Sequence, residues 1–193
     1  FNLGFIIARL GSDLYILDQH ACEEKYNFET LQASTKIHQQ PLIHPKTLEV
    51  TAAEEATIVE HLPVFERNGF QIAVDEAAPP TQRLKLEKVP FSKTTQFGVD
   101  DIHELASIIA DLPSDSAAGY SDLQLPKIRM MFASRACRSS VMIGTALDVP
   151  AMAKIVRKLE SIEQPWNCPH GRPTMRHLTE LTDMAMDSFA TAM

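Results

Sequence analysis

The opening "FNLGFIIARLGSDLYILDQHACEEKYNFE" changes its periodicity twice within 29 residues. That change limits the possible folds more than any bulk property. Phe1, Leu3, Phe5 and Ile7 alternate as along a strand, Gly11-Ser12-Asp13 supply turn chemistry, and "LYIL" returns, which predicts an antiparallel hairpin. A helix is expected over 19–31, with Asp18 as its N-cap. An antiparallel pair running straight into a helix is not the start of a parallel βαβ unit. The rest of the chain keeps to this mixed character.

"QQPLIHPKTLEV" carries two prolines and reads as an extended connector entering a strand. Residues 52–67 have a helical pattern that Pro63 must kink or shorten. Asn68-Gly69 turns the chain into the alternating "FQIAV", and "RLKLEKV" is a further strand with Leu84 and Leu86 on one face. Asp101 and Glu104 stand at capping-box spacing ahead of Leu105, Ile108 and Leu112. "PSDSAAGYSD" reads as a loop. Two more helices are expected over 127–142 and 150–162, the second with Met152, Ile155, Val156 and Leu159 on one face. Strands and helices without regular alternation indicate an α+β fold.

At 193 residues the chain can bury a substantial core. It has no apolar run near the roughly 18 residues that mark a membrane span, so no membrane is expected among its partners. It begins without methionine and shows no secretory signal, which reads as a piece of a longer protein. The three cysteines, Cys22, Cys137 and Cys168, are widely spaced and odd in number, which fits reduced thiols better than a disulfide framework. A net charge of −7 argues against strong unaided binding to nucleic acid. Yet residues 127–176 hold nine Lys and Arg against three acids, either a face for a polyanion or a dispersed solvated set.

One set of residues carries chemistry. His20 and Glu24 are four apart, share a helix face and can both reach one metal ion. Cys168 and His170 sit two apart on a loop stiffened by Pro169 and Pro173, and Cys137 lies in "SRACRSS". Together these are five candidate ligands of the types that bind zinc-like ions. Singly, each Cys or His is more often a core residue. Asp18 adds an oxygen ligand or a base. Glu29 falls on the opposite side of the helix from His20 and reads as structural, an ion-pair residue; Glu23 and Cys22 lie off the His20/Glu24 face and are not expected to be ligands.

These residues stand in a recognisable order. "DQHACEEKYNFE" resembles the D-Q-H-A-x2-E-x4-E motif of the MutL family of DNA mismatch-repair endonucleases. "ACR" at 136–138 and "CPHGRP" at 168–173 are similar to that family's companion motifs. The flanking "FNLGFII", "SVMIG" and "WNCPHGRPTMRH" look like the PMS-type subunit of the eukaryotic heterodimer MutLα, over nearly the whole chain but only as its C-terminal domain.

The resemblance implies a metal-dependent domain that nicks one strand of duplex DNA. His20, Glu24, Cys137, Cys168 and His170 are then the metal ligands, with Asp18 and Glu24 catalytic. Arg138 and Arg172 are suited to holding DNA phosphates. Thiolate and imidazole ligands favour Zn2+ in a structural or regulatory role, and Mn2+ or Mg2+ is expected for hydrolysis. ATP enters only through an N-terminal domain absent from this chain.

"QPLIHP" resembles the segment by which such endonucleases engage a PCNA-type sliding clamp, with Gln40, Leu42, Ile43 and Pro45 as contacts. The same residues also read as an edge strand. The implied partners are an MLH-type subunit in a heterodimer, the clamp, duplex DNA, and a MutS-type recognition complex reached through the full-length protein; the implied location is nuclear. The implied division is a dimerisation and endonuclease-site subdomain, 1–40 and 126–193, with an inserted regulatory lobe, 41–125. A zinc-stabilised dimerisation module without catalysis is the alternative, and it leaves Asp18 idle.

Overall fold

The computed structural model describes residues 3–113, 120 and 123–181. The loop predicted at 113–122 lies almost wholly outside the described residues, and so does the terminal "TDMAMDSFATAM". The fold is mixed α and β, with two three-stranded antiparallel sheets. The chain forms two compact units, Phe1–Thr35 with Phe132–Met193, and Lys36–Met131. Among the described residues no helix is long and apolar enough to cross a membrane.

The first unit opens with the hairpin of β1 (Phe5–Leu10) and β2 (Asp13–Asp18), in register from Phe5 opposite Asp18 to Leu10 opposite Asp13. Gly11 takes the left-handed conformation (φ 61°) that its tight turn needs. Strand β6 (Met175–Glu180) pairs with the other edge of β2, which makes β2 central. This third strand has no counterpart among the sequence expectations. Its "MRHLTE" has exposed side chains at all positions after the first, so it lacks the alternation that marks a half-buried strand.

Ile6 and Leu17 are buried on one face of the sheet with Cys22 of α1 (Gln19–Ser34) and with Ile155 and Leu159. Ile155 belongs to α6 (Val149–Lys158), whose Met152 and Val156 pack on the same cluster, as the helical spacing predicts. Phe5 and Ile7 are exposed, so the alternation seen in sequence lies on the uncovered face of β1, while Leu10 is exposed at the strand end on the Ile6 side.

In the second unit β5 (Leu84–Pro90) lies between β3 (Gln39–Thr47) and β4 (Gln71–Val74). Leu84 and Leu86 are fully buried with Ile58, Phe65, Phe70, Ile102 and Leu105. The 52–67 segment divides into α2 (Ala52–Glu60) and α3 (Leu62–Arg67), with Pro63 in the first turn of α3, where its missing N–H costs nothing. α4 (Val99–Ala110) starts earlier than the Asp101–Glu104 spacing suggests. Gly98 is the N-cap, and Asp101 is the third helical residue, its carboxylate accepting from Gly98 N–H at 2.8 Å and from Lys127 at 2.9 Å. Helix α5 (Pro126–Ser139) contains the division between the units.

Strand β3 pairs with β5 at both ends only. Gln39–Pro41 oppose Pro90–Lys88 and Lys46–Thr47 oppose Leu86–Lys85, leaving residues 42–45 out of the ladder. Pro45 lies within this gap and cannot donate to a ladder.

Gly69 is the position where this unit tolerates no side chain. Its φ is 87°, and a Cβ there would lie 2.7 Å from Ile37 Cγ2 and 3.2 Å from Pro90. Gly69→Ala is expected to cost about 2 kcal/mol or more, from left-handed strain and overpacking together. Urea denaturation of the two forms measures it.

Candidate metal centre

Helix α1 begins at the end of the central strand β2. Asp18 Oδ1 accepts from Ala21 N–H at 2.9 Å and caps it, as expected. The helix then turns His20 and Glu24 inward, at 6% and 0% exposure. The loop carrying Cys168 and His170 is held against this helix start by backbone. Asp18 N–H donates to Thr174 O at 2.9 Å, Cys22 Sγ to Thr174 O at 3.3 Å, and Cys168 N–H to Arg172 O at 2.8 Å. Gly171 (φ 82°) makes the tight return, its N–H donating to Cys168 O at 2.9 Å. A side chain would strain that turn.

Two groups of ligand atoms result, His20–Glu24–Cys137 and Glu24–Cys168–His170, with the atoms of each within 4.8 Å of one another. The structure thus brings together all five candidate ligands, and Glu24 belongs to both groups. His20 Nδ1 donates to Val141 O at 2.8 Å, so the ring proton sits there and Nε2 faces Cys137 Sγ at 3.5 Å. Glu24 Oε1 accepts from His170 Nδ1 at 2.7 Å and Oε2 from Arg172 Nη2 at 3.3 Å.

The electrostatics centre on that carboxylate. Burial pushes the Glu24 carboxyl upward, but hydrogen bonds from Cys168 and His170 and the charges of His170 and Arg172 outweigh it and hold it below the ordinary range. Burial and the Glu24 carboxylate push the thiols of Cys137 and Cys168 up. A divalent cation reverses this logic, because it supplies the positive charge that lets thiols ionise.

The donor set fits a metal. It offers two imidazoles, two thiols and a carboxylate, with one imidazole already oriented through its second nitrogen. Thiol and imidazole donors suit Zn2+, while the single carboxylate is the only donor of the type that Mg2+ or Mn2+ prefers.

Other sequence candidates fall around this centre. Asp18 joins neither ligand group; it lines a groove of ≈ 240 Å³ with Phe5, Ile16, Arg172, Met175 and Arg176. Arg172 both faces that groove and neutralises Glu24. Arg138 is exposed in the last turn of α5. Cys22 is fully buried, its thiol pushed up to about 12 by burial and by Asp18, and it serves the core. Glu29 pairs with Lys25 at 2.7 Å, the structural role its side of the helix predicts. In the second unit Gln40, Ile43 and Pro45 are exposed, Ile43 at 94%, and Leu42 is half-buried. Sequence reasoning missed Val141, whose contribution is a carbonyl oxygen and so leaves no trace in residue type.

Residues 1–147 match the family described as the MutL C terminal dimerisation domain. The chain is 52% identical over 97% of its length to the mismatch repair endonuclease PMS2 of Gallus gallus, and 48% over 95% to the DNA mismatch repair protein PMS1 of Saccharomyces cerevisiae. It is 32% identical over 93% of its length to the DNA mismatch repair protein MutL of Citrifermentans bemidjiense. A chain with this fold and these matches belongs to the MutL C-terminal dimerisation family. It is similar to PMS2 and PMS1 over nearly all of its own length but spans only about a fifth of theirs, 21% in both cases, and 27% of the bacterial relative.

Metal content separates the three cysteines. Cys137→Ser and Cys168→Ser are each expected to weaken Zn2+ binding by more than about tenfold, and Cys22→Ala to leave it unchanged. Elemental analysis of the purified variants, with competition against a chromophoric chelator, reads the difference.

Proposed function

We propose that this chain is the endonuclease domain of a PMS-type subunit, acting in DNA mismatch repair by nicking one strand of duplex DNA. The observation that carries the reading is the convergence of His20, Cys137, Cys168 and His170 on the buried Glu24 carboxylate beside an arginine-bearing groove. The family match and the printed names of the relatives support it.

The five ligands would hold Zn2+, with Mn2+ or Mg2+ joining for turnover, and such ions act as Lewis acids on a phosphodiester. The chain's own residues do the rest. Arg172, 40% exposed while paired to Glu24, presents its free face to a phosphate in the groove, and Arg138 contacts the backbone further out. Asp18, fixed by its capping bond on the wall of the same groove, accepts a proton from the attacking water.

Exposed Phe5 and Ile7 on one face of β1, with Leu3 just before the strand, support heterodimerisation with an MLH-type subunit. The first unit is the dimerisation and endonuclease subdomain and the second the regulatory lobe, close to the sequence division at 1–40 with 126–193 and 41–125. Residues 42–45, unpaired on edge strand β3 with Ile43 almost wholly exposed, support docking to a PCNA-type clamp. The MutS-type complex, ATP and a nuclear location belong to the full-length protein.

One observation favours the alternative, a zinc-stabilised dimerisation module: Asp18 joins neither ligand group and one oxygen of its carboxylate serves as the helix cap. Asp18→Asn decides between them, because an asparagine keeps the cap. Under the nuclease reading the variant retains Zn2+ and fold but loses about 100-fold or more in Mn2+-dependent nicking of supercoiled DNA by the full-length heterodimer. Nicking at the unmutated rate would sink the catalytic assignment.

Ile43→Ser tests the clamp. It is expected to abolish clamp stimulation of nicking and leave clamp-independent nicking and thermal stability unchanged, since the side chain buries almost nothing.

A further inference from the structure

The metal centre depends on a peptide segment that has no regular structure of its own. Val141 lies two residues beyond the end of α5, in the irregular connection to α6. Its carbonyl accepts from His20 Nδ1 at 2.8 Å. A carbonyl can only accept, so this one contact keeps the proton on Nδ1 and leaves the Nε2 lone pair facing Cys137. If Val141 shifts, His20 loses both its tautomer and its ring orientation.

The structure answers the question of what holds Val141. Its N–H donates to Glu23 Oε2 at 2.7 Å. The other oxygen of that carboxylate, Oε1, accepts from Lys158 Nζ at 2.5 Å. The Nζ of Lys158, in the last turn of α6, also lies over the Tyr26 ring at 4.9 Å, a second contact of the ammonium group with α1. Both partners of the ion pair are about one-fifth exposed, shielded enough for the charge to direct the carboxylate.

His20 and Glu23 are three residues apart, hence neighbours on α1. One helix therefore grips Val141 from both sides, by its N–H and by its C=O. Glu23 is no ligand, in keeping with its place beside the His20/Glu24 face, but it is one bond removed from a ligand's support.

We infer that Glu23 and Lys158 are positioning residues of the metal centre: they fix Val141, whose carbonyl sets the tautomer and orientation of His20. The inference rests on the metal-site reading above. It adds that α6, which contributes no ligand, enters the site through one ammonium group.

The test measures Zn2+ affinity by chelator competition and the absorption spectrum of the Co2+ form. It uses the intact protein to which this chain belongs, in its native assembly. Glu23→Gln and Lys158→Met are expected to weaken Zn2+ binding by about tenfold or more and to shift the Co2+ ligand-field bands. Lys158→Arg keeps the charge and stays near the unmutated protein. Glu29→Gln, which breaks the Lys25 ion pair on the same helix without touching Val141, leaves affinity and spectrum alone.

Unmutated protein that binds metal, with Glu23→Gln matching it in affinity and spectrum, overturns this inference and leaves the metal site standing. Unmutated protein that takes up neither ion overturns the metal site and this inference with it. Should Glu23→Gln fail to fold, Lys158→Met against Lys158→Arg decides: a difference in affinity and spectrum supports the relay, equality overturns it.

Discussion

A carboxylate with no solvent exposure is the constraint on which the first unit depends. Glu24 is ionised, fully buried and fixed in place by its helix, so its charge must be met from within the protein. An unpaired buried charge is among the costliest defects a fold can carry, and breaking such a pair typically costs about 3–5 kcal/mol. His170 and Arg172 meet that charge here, both from one short loop. The loop is therefore not free to wander. A stability argument alone would favour an apolar residue at this position, since a well-packed hydrophobe is often as stable as a buried ion pair. Retaining the carboxylate makes sense when a cation is to share it.

The same reasoning explains why the loop is built from backbone contacts and not from a packed hydrophobic surface. Cys168 and His170 both reach Glu24 from this loop. Thr174 O accepts both from the Asp18 backbone and from the Cys22 thiol, so the loop's far end is tied to the first residues of the ligand helix. Cys22 thus explains its own burial. It is a core residue whose weak donor serves the loop, and its inert, strongly raised thiol keeps it from competing with Cys137 and Cys168.

What the sequence disclosed follows from what residue types can encode. The hairpin, the Asp18 cap and the break at Pro63 were legible because turns, caps and prolines act locally. The α6 face was legible because its apolar spacing is regular. The grouping of His20, Glu24, Cys137, Cys168 and His170 was legible because helix spacing and the C-x-H loop restrict where donors can point. Strand β6 was hidden, since a strand exposed at most positions shows no alternation. The start of α4 was misread because Gly98 caps through backbone geometry and leaves Asp101 to reach back from inside the helix. Val141 could not have been found at all, because any residue supplies a carbonyl.

Acidity and exposure make different demands on this chain's surface. Its net charge of −7 opposes a polyanion, while Arg172 and Arg176 line the groove beside the ligand set. Of the nine basic residues in 127–176, seven fall in the first unit. Charge of this kind steers a phosphate locally without conferring tight binding, and its effect fades beyond a Debye length of about 8 Å at physiological salt. The exposed apolar residues of β1 and the unpaired 42–45 segment need partners for a different reason: apolar surface and unpaired edge left in water are liabilities. The chain thus presents two surfaces suited to proteins, one in each unit.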